Sequence, residues 1–332
     1  MKKALAYNLL SRSGLRFLIE KACPWSGVLV LNYHRIGNGE GSLFDNALWS
    51  ADAGMFADQL QYCKLHLDMI SPADLPDVIA SGRGRYGMVT FDDGYLDNYE
   101  VAFPLLKAAG VPATFFIATG FIDTPVLPWW DEIAWMVKTS RRNWVELPDW
   151  FPAPLIFDDP GRERIIRTLL RGYKTMPVES TGRYVEAIAE ATGSGRCSAE
   201  VGKQLWMNWD MLRQMRAHGM TIGGHTVSHP VLARLPPERQ REEVQGCAAR
   251  LSAEMNEPMQ VFSYPVGKPY AFDGTTRNYL REAGVRYVFT YYGGFRRFDD
   301  WEDYDIRRIA IEAPITFEWF KSIVTIPRVA RQ

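Results

Sequence analysis

Short apolar runs alternate with longer segments of helical periodicity along most of the chain, a pattern typical of βα units around a parallel sheet. The runs that predict buried strands occupy residues 28–33, 86–91, 112–118, 220–223, 261–264, 286–290 and 304–311, and a shorter run ends near residue 70. Helices are predicted at residues 51–64, 71–80, 98–109, 208–219, 236–255 and 277–283. About eight strands separated by helices predict an α/β fold of the barrel type.

Two adjacent carboxylates follow the second long apolar run, since Asp92 and Asp93 stand between Phe91 and Gly94. Neighbouring side chains of a strand point to opposite faces, so one acid can bind a cation while the other handles a proton. An isolated Asp-Asp-Gly sequence is also an ordinary solvated turn. Only a partner elsewhere in the chain favours the chemical interpretation.

That partner is a pair of histidines, His225 and His229, which stand four residues apart behind a double glycine. A catalytic zinc ion typically has three protein ligands, and Asp93 completes such a set of imidazoles and carboxylate. If the stretch is a helical turn, this spacing places both imidazoles on one face. If it is a loop, Pro230 fixes its exit. Two structural histidines are the alternative interpretation.

The TFDDGY string at residues 90–95 and the HTVSHP string at residues 225–230 together resemble the polysaccharide deacetylase superfamily. These metal-dependent carbohydrate esterases include nodulation-type chitooligosaccharide deacetylases and peptidoglycan deacetylases. Three further runs match the same pattern: residues 30–35, 208–212 and 220–223. The resemblance covers about residues 28–120 and 205–312. It implies a distorted (β/α) barrel of about seven or eight strands, with the site at the C-terminal ends of the strands.

The resemblance implies a divalent metal ion, Zn²⁺ with Co²⁺ or Mn²⁺ as alternatives, held by Asp93, His225 and His229. Asp92 would then be the general base that acts on water. Many relatives use a histidine on a late strand as general acid, but no histidine follows His229. His34 ends the first strand on the same rim, and the pKa of histidine suits proton transfer near neutrality. We therefore expect His34 to be the general acid, with a buried structural histidine as the alternative.

Residues 262–270 match the family segment that lines the catalytic groove. The backbone N–H of Val266 is the expected oxyanion donor, a role that tolerates any side chain. Ser263 stands where the family has an arginine, so the orienting role of that arginine is not expected to survive. Arg308 and Glu312 can face the site from the last strand, but neither is a clear acid. Five residues are expected in the groove: Tyr264, Pro265, Val266, Tyr95 and Arg308.

Residues 121–205 form an insertion into the barrel domain, which we assign to residues 28–332. The segment is too long for an ordinary connection and must have structure of its own. It contains several tryptophans: Trp129, Trp130, Trp135, Trp144 and Trp150. Tryptophans near a barrel mouth can stack on sugar rings. The alternative is a helical subdomain whose tryptophans form a small core.

The chain has 332 residues, of which 47% are hydrophobic and 23% charged, so it is long enough for a large core. Lys and Arg number 38 and Asp and Glu 39, and a net charge of −1 gives no bias toward nucleic acid. The four cysteines show no CxxC spacing, so neither a metal ribbon nor a disulfide framework is indicated. They fit a reducing compartment.

Residues 1–27 predict one or two short basic amphipathic helices rather than a cleaved signal peptide or a membrane span. Such helices pack on the domain or lie on a membrane surface, where residues 1–21 would make a peripheral contact. We therefore expect a cytoplasmic protein, membrane-associated in the second case. The sequence leaves the oligomeric state open.

Together these features predict a hydrolase that removes N-acetyl groups from amino sugars of a polysaccharide, an oligosaccharide or a lipid-linked glycan precursor. The residue types do not separate N-acetyl from N-formyl substrates. One alternative is a catalytically inactive barrel that binds carbohydrate. Another is an amidohydrolase or deformylase acting on a small amide. A long groove would favour a glycan, and a closed pocket a small amide.

Overall fold

The computed structural model describes residues 25–312 and 315–330. The amphipathic segment predicted at residues 1–27 lies outside the described residues except for its last three. None of the helices in the described part is both long enough and apolar enough to cross a membrane.

Strands of a parallel sheet follow one another along the chain and account for most of the apolar runs. In chain order the described strands are β1 (Gly27–Tyr33), β2 (Arg35–Ile36), β3 (Trp49–Ala51), β4 (Asp68–Met69), β5 (Arg85–Phe91), β6 (Ala113–Ile117), β7 (Trp144–Val145), β8 (Leu155–Ile156), β9 (Thr221–Gly224), β10 (Val261–Ser263), β11 (Tyr287–Gly293) and β12 (Ile306–Ala310).

The helices surround these strands. The described α-helices are α1 (Ala53–His66), α2 (Leu75–Ser81), α3 (Phe103–Ala109), α4 (Thr119–Asp123), α5 (Trp129–Thr139), α6 (Arg162–Thr175), α7 (Val178–Thr192), α8 (Ala199–Gly202), α9 (Trp209–Ala217), α10 (Pro237–Met255), α11 (Gly274–Glu282) and α12 (Phe317–Thr325). A π-helical turn, Asn98–Ala102, leads into α3.

Seven parallel strands close into a barrel in the order β1, β12, β11, β10, β9, β6, β5. Closure follows from β1, which pairs in parallel with β12 on one side and with β5 on the other. The short strand β4 pairs with the beginning of β5. The predicted α/β barrel of about seven or eight strands is therefore confirmed.

The barrel strands are mostly apolar because both of their faces are buried, by the barrel interior and by the helices. All seven residues of β1 are buried, as are all five of β6. Helix α1 turns Phe56, Leu60 and Cys63 toward the strands, as the periodicity predicts. The Asp52 side chain caps this helix by accepting the Met55 N–H at 2.7 Å.

The segment between β6 and β9 folds into the helices α4 to α8 and the antiparallel pair β7–β8. Its tryptophans differ in burial. Trp130 is buried, and Trp129 packs its ring at 4.0 Å from that of Tyr173. Trp144 is 43% exposed at the far end of the segment. The buried side chains of the segment belong to the same hydrophobic core as those of the barrel.

Candidate active site

The two predicted carboxylates lie where β5 leaves the barrel. The Asp92 N–H donates to the Tyr33 carbonyl at 3.1 Å, which ties this turn to the end of β1. Asp93 has a left-handed backbone, with φ 77°, so its side chain points away from that of Asp92. Both side chains are buried. The alternative of two solvated carboxylates in an ordinary turn is therefore wrong.

The two histidines lie in a loop after β9, so the helical-turn alternative is wrong and the loop alternative is confirmed. Thr226 and His229 in this loop have φ 70° and 58°. The loop is fixed to the neighbouring strand, because the His225 N–H donates to the Ile117 carbonyl at 2.9 Å. Four of the five described non-glycine residues with positive φ belong to the site, the fourth being Val266. Such strain is typical of functional sites.

Asp93, His225 and His229 converge on one point. The Oδ1 atom of Asp93 lies 3.6 Å from Nε2 of His225 and 3.4 Å from Nε2 of His229. That buried oxygen has no hydrogen-bond partner among the described residues. Their ligand atoms all lie within 4.8 Å of one another. An unpartnered carboxylate oxygen between two imidazole nitrogens is the arrangement that a divalent metal ion completes.

The protonation of the two histidines also suits a metal. Nδ1 of His225 lies 2.7 Å from the Ser263 carbonyl, which can only accept a hydrogen bond, so the hydrogen is on Nδ1 and the Nε2 lone pair is free. Burial lowers the pKa of His225 to about 4 and holds the pKa of His229 well below its usual value. Both imidazoles are therefore neutral near neutral pH, as metal ligands must be.

Arg308 forms a bidentate ion pair with Asp92 across the barrel interior. Its two terminal nitrogens each donate to a different oxygen of Asp92 at 2.8 Å. Burial raises the pKa of Asp92, but the Arg308 guanidinium outweighs it and holds that pKa well below its usual value. Asp92 therefore stays ionised at neutral pH, the state that a general base requires.

The expectation that the orienting arginine is lost is wrong. Ser263 lies on β10 and is not an arginine, but Arg308 of β12 pairs with the Asp92 carboxylate. The Ser263 hydroxyl accepts a hydrogen bond from Arg308 at 2.7 Å, so the serine helps to hold the arginine against Asp92. Sequence reasoning placed Arg308 at the groove but missed its pairing with Asp92.

Glu243, on α10, holds the histidine loop and was not predicted. This buried carboxylate accepts the backbone N–H of Val227 at 2.9 Å and of Ser228 at 2.8 Å. It also accepts the Ser228 hydroxyl hydrogen. These bonds fix the backbone between the two metal-ligand candidates. A glutamate on a charged helix gives no sequence signal for such a role.

The turn after β10 carries the predicted oxyanion donor. Val266 lines the cavity and has φ 62°, a costly conformation for a β-branched residue. Its backbone N–H donates to no acceptor within the described part of the chain. Tyr264 also lines the cavity, whereas Pro265 and Arg308 are buried behind it.

Tyr95 is not in the groove, and this expectation is wrong. The side chain is fully buried, and its ring stacks on that of Trp206 at 4.7 Å. Its hydroxyl donates to Asp131 at 2.8 Å and accepts from the Trp130 indole at 2.7 Å. Burial raises the pKa of Asp131 to about 6. Tyr95 and Asp131 thus anchor the segment 121–205 against the barrel behind the site.

His34 lies beside the base, as predicted. Its Nε2 atom is 4.0 Å from Oδ2 of Asp92, and the ring lines the cavity. Burial lowers the pKa of His34, while the charges of Asp92 and Glu312 raise it. A ligand group that contacts Asp92 in the cavity would therefore also lie close to the His34 imidazole.

One cavity of about 210 Å³ lies at this end of the barrel, with Tyr264 and Val266 on its wall. It contains the base, the three ligand candidates and His34, and it is closed on one side by residues of the segment 121–205. Lys268 and Tyr270 of the expected groove segment 262–270 line this cavity, whereas sequence reasoning missed lining residues from distant segments, among them Asp45, Lys174 and Tyr291.

Comparison with known families shows which family the chain matches. A sequence profile described as Polysaccharide deacetylase matches residues 81–142 and 176–288, more than half of the chain. Over 181 residues the chain is 20% identical to YxkH of Bacillus subtilis (strain 168), which is named as a polysaccharide deacetylase. That match covers 54% of this chain but only 37% of YxkH. The chain therefore spans little more than a third of this relative's length.

Solved structures share the fold. The deacetylase PplD of Streptococcus pyogenes, in complex with acetate, superposes with a TM-score of 0.57 at 18% identity, over 88% of this chain and 95% of that one. IcaB from Ammonifex degensii gives 0.55 at 21% identity, over 90% and 96%. A de-N-acetylase from Aggregatibacter actinomycetemcomitans gives 0.56 at 14% identity, over 89% and 98%. At these identities the likeness concerns the fold alone.

Proposed function

Because the chain belongs to the polysaccharide deacetylase family, we propose that it is a metal-dependent hydrolase that removes N-acetyl groups from amino sugars. Its substrate is an oligosaccharide, a polysaccharide or a lipid-linked glycan precursor. One observation carries this proposal. Asp93, His225 and His229 converge beside the Asp92–Arg308 pair within a single cavity.

Asp93, His225 and His229 would hold the metal ion, and this donor set suits Zn²⁺, with Co²⁺ or Mn²⁺ as substitutes. When bound, the ion supplies Lewis-acid polarisation of the amide carbonyl and lowers the pKa of a coordinated water. Asp92 accepts the proton of the attacking water, since its pairing with Arg308 keeps it ionised. The Val266 N–H lies free on the cavity wall to donate to the developing oxyanion.

His34 passes a proton to the leaving amine. Burial keeps the resting imidazole neutral, so it can take the proton that Asp92 gains and deliver it to the leaving nitrogen. Its position 4.0 Å from Asp92 allows this transfer after a small movement. Water and the amide are consumed, and acetate and a free amine are formed.

The size of the cavity supports a second candidate. About 210 Å³ is small beside a typical ligand pocket, which measures roughly 300–1,000 Å³. A cavity of this size favours recognition of one acylated residue rather than several. Hydrolysis of a small acylated amine is therefore the second function to test, and dependence of kcat/KM on oligomer length distinguishes the two.

The test is acetate release from N-acetylglucosamine oligomers of one to six units, by protein that has been chelated and then given Zn²⁺, Co²⁺ or Mn²⁺. We expect metal-dependent release that Asp92→Asn lowers about 10²- to 10⁴-fold. Asp77→Asn, a carboxylate on the exposed face of α2, is the matched control. Stoichiometric metal binding without hydrolysis of any oligomer or small amide would instead indicate an inactive carbohydrate-binding barrel.

The role of His34 has its own test. An acetate ester of nitrophenol has a leaving group that needs no proton, whereas a sugar amide does. We expect His34→Gln to lower kcat far more on the amide than on the ester, and Asp92→Asn to lower both. Equal losses of His34→Gln on the two substrates would exclude a role as general acid.

A further inference from the structure

Two lysines line the cavity without a charged partner. Lys174 comes from α6 of the segment 121–205, and Lys268 comes from the turn after β10. Within residues 25–312 and 315–330, neither ammonium group forms a hydrogen bond or an ion pair. Their recorded contacts are with aromatic faces, Trp129 at 5.8 Å for Lys174 and Tyr291 at 5.7 Å for Lys268. Both side chains are half-buried.

Other lysines of this chain form ion pairs with glutamates. Lys138 pairs with Glu163 at 3.0 Å, and Lys321 pairs with Glu318 at 2.8 Å. An ammonium group has three donors and no acceptor, and withdrawing it from water without a partner is costly. The two unpaired lysines therefore carry a desolvation penalty in the cavity, and an anionic ligand would offset it.

Three of the four carboxylates of the same cavity already have a partner, and the fourth, Asp93, belongs to the metal-ligand set. Asp92 is paired with Arg308, and Glu312 accepts the Tyr291 hydroxyl hydrogen at 2.6 Å. Asp45 accepts the N–H of Ala47 at 3.0 Å. These contacts keep the carboxylates from neutralising the lysines at close range, and the donors of both ammonium groups remain available.

With a divalent metal ion bound, the groups around the cavity carry a net positive charge, which also favours an anionic ligand. Two lysines and four carboxylates line the cavity, the latter being Asp45, Asp92, Asp93 and Glu312, and Arg308 pairs with Asp92 from behind the wall. A divalent ion therefore leaves the group with one net positive charge. Burial lowers the pKa of Lys174, and nearby carboxylates raise it, so an anion placed beside it would further favour the ammonium form.

We propose that the acylated sugar carries an anionic group, a carboxylate or a phosphate, that binds Lys174 and Lys268 while its amide lies against Asp92. This inference rests on the proposed function and specifies its substrate class. The segment 121–205 then has a defined role, because its α6 supplies one of the two cationic groups. A charge-assisted hydrogen bond of this kind is worth about tenfold or more in affinity.

The test compares kcat/KM of the zinc-loaded protein for three monosaccharides at constant ionic strength. N-acetylglucosamine is neutral, N-acetylglucosamine 1-phosphate offers a phosphate, and N-acetylmuramic acid offers a carboxylate. We expect at least one anionic sugar to exceed the neutral one about tenfold, and the preferred one identifies the anion. In Lys174→Met and Lys268→Met that ratio should fall about tenfold. Lys203→Met, an exposed lysine of the same segment paired with Glu200, should keep the wild-type ratio.

Binding is measured separately so that failure of catalysis does not hide the answer. Calorimetry with Asp92→Asn uses the same three sugars and inorganic phosphate. Lysine-dependent binding of an anionic sugar without turnover by the wild type would refute the proposed function but support the anionic ligand. Equal affinity for neutral and anionic sugars would overturn the inference. So would phosphate binding that Lys174→Met leaves unchanged, since the ion would then be held elsewhere.

Discussion

Replacing Arg308 with methionine tests how the catalytic carboxylate is held. The Arg308 side chain has no exposed surface, and it donates to both oxygens of Asp92 at 2.8 Å and to the Thr290 carbonyl at 2.7 Å. Methionine fills much of the same space but supplies neither charge nor donors. Asp92 would keep only the Asn32 amide, at 3.2 Å, as a side-chain donor in the described part of the chain.

The expected loss of stability is large because one charge of a buried pair is left without its partner. Such a deletion costs about 3–5 kcal/mol. Ser263→Ala is the matched control, because it removes a single hydrogen bond to the same guanidinium and should cost about 1 kcal/mol. The two variants should therefore differ by at least about 2 kcal/mol.

Urea unfolding of chelated protein, followed by circular dichroism, measures both values without a contribution from bound metal. Adding Asp92→Asn completes a double-mutant cycle, and we expect a coupling energy of about 2–3 kcal/mol between the two residues. Additivity within about 0.5 kcal/mol would show that the pair contributes nothing as a pair.

Activity provides the second measurement. We expect Arg308→Met to lower kcat/KM for acetate release by at least about 10²-fold, the contribution of a positioned base. Arg308→Lys keeps the charge but loses the planar guanidinium, so its kcat/KM should lie between those of the wild type and Arg308→Met. If Arg308→Met unfolds like Ser263→Ala and keeps wild-type activity, the assignment of Arg308 as the positioning residue is refuted.

Three further predictions concern residues around the site. Burial raises the pKa of Asp131 to about 6 in the folded protein, against about 3.9 in the unfolded chain. Between these values the folded state binds more protons than the unfolded state. The wild type should therefore lose about 3 kcal/mol of stability relative to Asp131→Asn as the pH rises from about 4 to about 7. Parallel pH profiles of the two proteins in urea would contradict it. Glu243→Gln should weaken metal affinity about 10- to 100-fold in competition with a chromogenic chelator, whereas its exposed neighbour variant Glu242→Gln should not; equal affinities would exclude the positioning role. Gly267→Ala places a Cβ 2.6 Å from the β11 backbone at φ 54°. It should cost about 1–3 kcal/mol more stability than Gly110→Ala, where φ is 63° but the space is open. Equal losses of stability in thermal unfolding would mean that the backbone conformation alone matters.

Local patterns were sufficient to predict the strands and the metal-ligand candidates. A strand buried on both faces is mostly apolar rather than alternating, so residues 28–33 and 86–91 stand out in the sequence and correspond to β1 and β5. Acids and imidazoles at strand ends are chemically distinctive in the same way. Asp93, His225 and His229 were therefore predicted from residue type and order, and the structure brings them together.

Pairing across the barrel could not be predicted in this way. Arg308 lies 216 residues from Asp92, and nothing in its own strand marks it as the partner of that carboxylate. The structure makes the pair by placing β12 and β5 on either side of β1. Tyr95 shows the opposite case. It follows the acids in sequence, but the backbone turn buries it against Trp206 rather than in the cavity.

The sequence by itself determined which residue types stand at the ends of the barrel strands, because burial and backbone geometry act on neighbouring residues and leave a local pattern. Only the tertiary structure decided which distant side chains meet them. The strand order set the Arg308–Asp92 pair, and the packing of the segment 121–205 brought Lys174 into the cavity. Such contacts depend on the relative placement of whole elements, which periodicity and motif spacing do not encode.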